Sequence, residues 1–321
     1  MFVETFMHRI GFVLFPNFQA MGFAAITAFE VANLSVGEPV YEVSLLSESG
    51  GLVRASAGFC VDTEAFGESA FDTLIVGASA RVEPMTPGVL AFVRQSTKTS
   101  RRVAGPCTGA FVLAEAGVLD GRRATTHWLF ARDLQARFPR LKLEEDCIFI
   151  IDGPVWTSAG MTAGIDLALA MIEQDLGPDV AREVARKLVV HHRRGGGQSQ
   201  FSAMLELEPK SDRIRKALEY ANRNLQKILS VDELAEAAGL SPRQFSRAFR
   251  AETGQSPAKA VESLRVEAAR LLMEQGRHSM DVIAYETGFR DRERMRRAFL
   301  RSFGQPPQAI RRNSRPVALI A

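Results

Sequence analysis

Arg247-Ala248-Phe249, followed after four residues by Gly254-Gln255-Ser256-Pro257, returns about fifty residues on as Arg297-Ala298-Phe299, followed at the same interval by Gly304-Gln305-Pro306-Pro307. Before each copy stands an alanine-bearing helix signal that ends in glycine: Leu234-Ala235-Glu236-Ala237-Ala238-Gly239 and Ile283-Ala284-Tyr285-Glu286-Thr287-Gly288. Two such units are an internal duplication. A short helix, a tight glycine turn and a basic second helix form the arrangement by which a helix-turn-helix lays its second helix in a DNA groove. The repeat predicts an all-α domain with two reading helices.

Local signals around the repeat agree. Ser211 or Asp212 caps a helix to about Asn224, and Ser230-Val-Asp-Glu233 reads as a capping box. Ser241-Pro242-Arg243-Gln244 opens the first reading helix with proline in its first turn. There Phe245, Ala248 and Phe249 share the inner face, while Arg243, Arg247 and Arg250 lie opposite with Ser246 on the flank. A solvated surface is the other use for those arginines; their place on the second helix of the motif favours DNA. Pro257 to about Gln275 forms a joining helix, and Ser279 caps the next one. In the second reading helix Met295, Ala298 and Phe299 face inwards and Glu293 and Arg297 outwards, with Arg294 and Arg296 on the flanks. Arg290, Arg292 and Arg301 add charge for phosphates. Arginine pairs with guanine O6 and N7, and Glu293 suits cytosine N4.

Charge follows the same division. Residues 210–321 carry 22 Lys+Arg against 13 Asp+Glu, a net of +9, within a chain whose total is only +3, so residues 1–209 are acidic at −6. One basic domain on an acidic chain is the footprint of a polyanion partner. At 321 residues, with 46% hydrophobic and 24% charged residues, there is material for two cores. No apolar run approaches the roughly 20 residues needed to cross a bilayer. The start, Met1 to Arg9, has no basic n-region, apolar h-region or cleavage site of a signal peptide. Cys60, Cys107 and Cys147 are too scattered for a disulfide framework or a metal knuckle. A reduced cytoplasmic protein without metal or cofactor is expected.

Residues 1–190 alternate strand and helix. Strands are read at 10–15, 40–46, 72–77, 102–105, 122–126, 142–151 and 155–158. Helices are read at 19–33, 87–98, 108–118, 128–137, 162–175 and 178–190. This order predicts an α/β doubly wound sheet domain. Its informative stretch is Val103-Ala-Gly-Pro-Cys107-Thr-Gly-Ala-Phe-Val-Leu-Ala-Glu-Ala-Gly117, a cysteine at a strand-to-helix elbow. A helix N-terminus aimed at the thiol favours thiolate. An inert buried cysteine is the alternative. His127, in Thr125-Thr126-His127-Trp128, is placed to approach Cys107 as its base, or to serve as a structural histidine. Trp128 either faces a bound cation or fills the core. Between the two halves, His191-His-Arg-Arg-Gly-Gly-Gly-Gln-Ser-Gln-Phe-Ser202 reads as a flexible joint, and its histidine pair is weak evidence for metal.

The Ala-Gly-Pro-Cys-Thr-Gly-Ala elbow, Gly121 to Trp128 and Thr157 to Asp166 resemble the ThiJ/PfpI superfamily, relatives of class I glutamine amidotransferases with a flavodoxin-like fold. Residues 212–312, with Gly288-Phe289, Asp291 and Phe303-Gly-Gln-Pro-Pro307, resemble the AraC/XylS family of transcription regulators. Nearly the whole chain is similar to the GlxA-type subgroup of that family. The first resemblance implies an acidic residue after the first strand, where this chain has Gly22, and Thr108 stands where many relatives carry histidine. Met295 departs from the usual aromatic or leucine of the second.

What the resemblance implies is a ThiJ/PfpI-like ligand-sensing domain at 1–190, a linker at 191–210 and an AraC-type DNA-binding domain at 211–315. The expected function is a transcription regulator, in the activating role common in the subgroup. Its small-molecule effector, an amino acid or quaternary amine, would touch Cys107, Thr108, His127, Trp128, Gly77, Ala78 and Asn17. Catalysis is not expected; Cys107 and His127 are vestigial candidates. A DNA operator, RNA polymerase and a second copy in a homodimer are the expected partners, on the bacterial nucleoid and away from membranes. Three rivals stand beside this reading. They are a cysteine hydrolase or glyoxalase-like enzyme with a DNA-binding appendage, a thiol redox sensor acting through Cys107, and a constitutive DNA-binding protein whose first domain only dimerises.

Overall fold

The computed structural model describes residues 7–313 apart from 68–69, 192, 198, 201–202, 204–206 and 275–277. The chain divides between Gly196 and Gly197 into two units with separate cores.

Strand alternation builds the first unit. In β1 (His8–Val13) and its extension, Ile10, Phe12 and Leu14 point to one face of the sheet, while Val13 and Phe15 point to the other. Successive side chains on a strand must part in this way. The first set packs under α1 (Phe23–Val36), α5 (Ala163–Leu176) and α6 (Pro178–Lys187). The second packs under α2 (Pro87–Thr99) and α3 (Gly109–Glu115). β1 pairs in parallel with both β2 (Tyr41–Ser47) and β5 (Thr73–Val76). β6 (Arg102–Pro106) and β10 (Val155–Ser158) continue the parallel run. β3 (Ser49–Arg54) with β4 (Cys60–Ala65) closes one edge, and β9 (Phe149–Asp152) closes the other against β10. The sheet order is β3-β4-β2-β1-β5-β6-β10-β9. It is therefore doubly wound with antiparallel edges. Between β6 and β9 come β7 (Arg123–Ala124), α4 (Trp128–Arg137) and β8 (Lys142–Leu143), the two strands pairing as a separate ribbon.

Two expectations need correction here. The β3–β4 hairpin is absent from the sequence reading, and the strand expected at 142–151 is two strands. β8 ends at Leu143 and β9 begins at Phe149; Glu144, just past β8, still donates its N–H to the Ala124 carbonyl of β7 and pairs with Arg123 at 2.5 Å.

The second unit comprises α7 (Asp212–Arg223), α8 (Val231–Ala237), α9 (Pro242–Thr253), α10 (Pro257–Glu274), α11 (Met280–Glu286), α12 (Arg292–Phe303) and α13 (Pro307–Asn313). Both capping boxes form: Ser230 with Glu233, and Ser241 with Gln244. Ser279 and Asp291 cap α11 and α12. α10 serves two cores. Its first half gives Ala260, Val261 and Leu264 to the core of α7–α9, and its second half gives Val266, Ala269 and Met273 to that of α11 and α12. Met295 fills the second core without exposure, as a flexible side chain can.

At the start of the expected 191–210 joint, Arg194 and Gly196 are held by the first unit. Arg194 binds Asp166 through its backbone N–H and guanidinium, and Gly196 packs on Phe149, so the first unit extends to residue 196. Leu207 is buried in the second core. His192, Phe201, Ser202, Gln275 and residues 314–315 of the expected segments lie outside the described residues.

Candidate functional site

The elbow at Cys107 forms because three glycines let backbones touch. A Cβ on Gly105 would meet the backbone of Gly109 at 2.9 Å, and one on Gly109 would meet the Val76 carbonyl at 2.5 Å. One on Gly160 would fall 2.1 Å from the Cys107 Cβ. β5, β6, α3 and the loop after β10 thus close on one point, at the C-terminal ends of the parallel strands where ligand crevices open. Backbone strain gathers there. Asn17, Cys107 and Met161 adopt φ of 65°, 53° and 51°, which side chains disfavour and functional sites often retain.

Hydrogen bonds fix the chain around this point. Cys107 N–H donates to the Ser158 carbonyl, and Thr126 Oγ1 donates to the Cys107 carbonyl at 2.7 Å. Thr108 Oγ1 accepts from Ser79 N–H and donates to Ser79 carbonyl, both at 2.8 Å. Its hydroxyl joins α3 to the loop after β5. Asn17 N–H donates to Arg54 carbonyl, and Gln19 N–H to Ala78 carbonyl. A Cβ on Gly77 would meet the Val13 carbonyl at 2.8 Å. Cys107, Thr108, Gly77, Ala78 and Asn17 are therefore brought to one sheet end, mainly as backbone architecture.

The expected thiolate is corrected. Cys107 is only 3% exposed, and burial pushes its thiol up to about 11 although the Thr108 N–H pulls the other way. His127 does not pair with the thiol among the described residues. It caps α4, its Nδ1 accepting from Leu129 N–H at 3.3 Å, and burial lowers its pKa. Gly22 precedes α1 and offers no side chain; an added Cβ would lie 3.3 Å from the Phe12 ring. Trp128 is 48% exposed beside His127, which removes the core alternative for it. Alkylation checks the thiol. At pH 8 a group near pKa 11 is about one part in a thousand thiolate. Iodoacetamide should label exposed Cys60 in the native protein and leave Cys107 unmodified by peptide mass spectrometry. Equal labelling would show the thiol to be activated.

In the second unit the inner faces agree with the spacing: Phe245, Phe249, Met295, Ala298 and Phe299 are buried. Arg243, Arg247 and Arg250 stand exposed on α9. Among the described residues they make no ion pair. The arginines of α12 differ. Arg292 binds Asp281 at 2.5 Å and Arg294 binds Asp291 at 3.3 Å. Arg296 binds Glu293 through two nitrogens, at 2.8 and 3.1 Å, and Arg297 lies 3.6 Å from the same carboxylate. Ser246 lies half-buried on the flank of α9. Three of these four pairs lie at i,i+3 or i,i+4 spacing along the chain, whereas residues 243–250 of α9 include no acidic residue.

Residues 8–174 match the DJ-1/PfpI family, and residues 234–313 match a helix-turn-helix domain. The HTH-type transcriptional regulator GlxA of Rhizobium meliloti is 33% identical over 96% of this chain and 97% of its own. Isonitrile hydratase of Pseudomonas putida is 32% identical over 56% of this chain and 77% of its own. An AraC family transcriptional regulator from Pseudomonas putida, known as a crystal structure, superposes with a TM-score of 0.52 at 22% identity, over 56% of this chain and 99% of that one. That likeness bears on fold alone.

Proposed function

The chain belongs to the DJ-1/PfpI family and, through its second unit, to the HTH-type transcriptional regulators that carry such a domain, and from this premise we propose that it binds an operator with α9 and α12 under the control of a small metabolite held in the Cys107 crevice. The observation that carries the reading is the repeated pair of exposed, arginine-bearing helices, each the second helix of its motif and both standing on one linking helix. Asn17, Gly77, Ala78, Thr108, His127 and Trp128 surround the effector, an amino acid or a quaternary amine, with the exposed indole offering a face to a cation. The protein works as a homodimer, contacts RNA polymerase from the bound operator, and resides in the bacterial cytoplasm on the nucleoid. Among the described residues no helix is long and apolar enough to cross a membrane.

Enzyme action is the weaker reading, despite the hydratase likeness. A buried thiol with a raised pKa, a histidine used as a helix cap and a glycine at the acid position leave no nucleophile–base–acid relay.

Binding to the DNA upstream of the gene, over a salt series, tests the proposal. Each phosphate contact contributes about 0.9 to the slope of log K against log salt. Arg247→Ala and Arg250→Ala should each weaken binding by about 1–3 kcal/mol, or flatten the slope by about one contact where the partner is a phosphate. Arg296→Ala should cost less, because Glu293 already engages that guanidinium. Selection from random duplexes that recovers no preferred site would end the proposal.

A further inference from the structure

Beside α12, the first half of α10 and the turn before α12 enclose a cleft of roughly 440 Å³. Four arginines line it, Arg265, Arg294, Arg297 and Arg301, against one carboxylate, Glu262. Metabolite pockets are mostly apolar; this one is lined by charge, with an excess of cations. Its chemistry is that of an anion site.

The occupancy of Glu262 is specific. Its carboxylate accepts from Arg301 Nη2 at 2.5 Å and Nε at 3.3 Å, and from Lys259 Nζ at 3.1 Å. Burial opposes ionisation there, yet the contacts with Arg301 and Lys259 outweigh it and hold the carboxyl below its ordinary pKa. The wall behind is rigid: Arg265 donates to the carbonyls of Leu225 at 3.1 Å and Lys227 at 2.7 Å. Arg294 and Arg297 belong at once to the cleft and to the second reading helix. A duplex lying along α12 would bring its backbone over this opening, since phosphate contacts flank a helix seated in the groove.

We propose that the cleft receives one backbone phosphate of the operator, and that Glu262 stands in for that phosphate in the free protein. The inference rests on the DNA-binding reading of the second unit. Glu262 holds Arg301 at the cleft and engages Lys259 beside it. It also taxes every phosphate that enters, because a carboxylate and a phosphate repel. DNA must displace the carboxylate to gain the arginine.

The test measures binding of the full chain to its selected operator over a salt series, in wild type, Glu262→Gln, Glu262→Asp, Arg301→Ala and the Glu262→Gln/Arg301→Ala pair. Glu219→Gln, which removes the same charge from an exposed pair on α7, is the control. Glu262→Gln should bind about 3–10-fold more tightly at roughly 0.1 M salt, with a slope steeper by about 0.9. Glu262→Asp should keep the wild-type slope. Arg301→Ala should bind more weakly, and in its background the gain from Glu262→Gln should vanish.

Intact operator binding with no change in Glu262→Gln, or an equal gain in Glu219→Gln, would overturn the inference and leave the regulator standing. Failure of the wild type to prefer any duplex would instead remove the regulator reading. Inorganic phosphate, titrated against the DNA-free protein by calorimetry, supplies the last arm. Only weak, unsaturated heat is expected; saturable binding abolished by Arg301→Ala would mark a free-anion site and overturn the DNA assignment.

Discussion

Asp175→Asn is expected to lower the melting temperature of the first unit by about 6–20 °C, the consequence of a loss of about 3–5 kcal/mol when one partner of a buried ion pair is removed from a unit of this size. The Asp175 side chain has no exposure, and that of Arg102 only 2%. Arg102 reaches across the starts of three strands: its Nε donates to Thr73 Oγ1 at 2.8 Å, its Nη1 to Gln174 and Asp175 at 3.1 Å each, and its Nη2 pairs with the second Asp175 oxygen. Tyr41 Oη donates to the same carboxylate at 3.0 Å, and the guanidinium lies over Trp156 with its carbon 5.4 Å from the ring centroid. Asparagine preserves the shape and removes the charge. What remains is a guanidinium sealed beside an uncharged amide, with Arg101 adding a like charge 2.8 Å from the vacated carboxylate oxygen.

Exposed pairs set the scale against which this is large. Asp179→Asn, at an exposed pair with Arg182, should change stability by less than about 1 kcal/mol. Calorimetry of the full chain measures both variants. Replacing the pair together, Arg102→Met with Asp175→Leu, should recover much of the loss, because two apolar side chains leave no stranded charge. An Asp175→Asn protein that melts with the wild type would show that Thr73, Gln174 and Trp156 suffice to hold the guanidinium.

Legibility in the sequence follows the range of the forces at work. α9 was readable to its ends because its signals are local: Ser241 and Gln244 bond each other's backbone, Pro242 begins the helix, and Gly254 ends it at φ 72°. β3 was not, since only one of its six residues is buried and two are glycines at positive φ. Pairing with β4 makes that strand, and pairing leaves little mark on composition. The elbow at Cys107 was visible in its glycines, whereas the state of the thiol was not. Gly160, 53 positions away, packs directly against the cysteine, which is left buried. The Arg102–Asp175 network and the Arg194–Asp166 clasp likewise join residues far apart in sequence. Charge counts located the DNA-facing unit but could not tell the unpaired arginines of α9 from the paired ones of α12, a difference made by Asp281, Asp291 and Glu293.

Gly288→Ala should separate the two motifs mechanically while leaving each one folded. Gly288 has φ 77°, and an added Cβ would lie 1.9 Å from the Leu225 carbonyl and 2.8 Å from Arg265 Nε. That carbonyl belongs to the connection between α7 and α8 in the first motif, whereas Gly288 forms the turn of the second. Arg265, midway along α10, donates to the same carbonyl, and Gln226 Nε2 donates to Glu286 at 2.8 Å. The two apolar cores are separate, so these polar contacts and the shared helix set the spacing between the reading helices. Alanine there forces the carbonyl away, weakens the arginine bonds and strains its own backbone, together about 3–5 kcal/mol.

Gly254→Ala and Gly304→Ala provide the comparison. Both sites have positive φ, but nothing lies within 4 Å of an added Cβ, so strain alone acts and the cost is about 1 kcal/mol each. On DNA the distinction should be sharper than in melting. Gly288→Ala should lose about 10–100-fold on a duplex carrying both half-sites, the equivalent of about 1.4–2.7 kcal/mol, and little on a single half-site, because only simultaneous engagement needs the fixed spacing. Gly254→Ala and Gly304→Ala should weaken both duplexes alike. Equal binding of the two-site duplex by Gly288→Ala and wild type would place the whole spacing function in α10, with the Leu225 contact reduced to stabilising the turn.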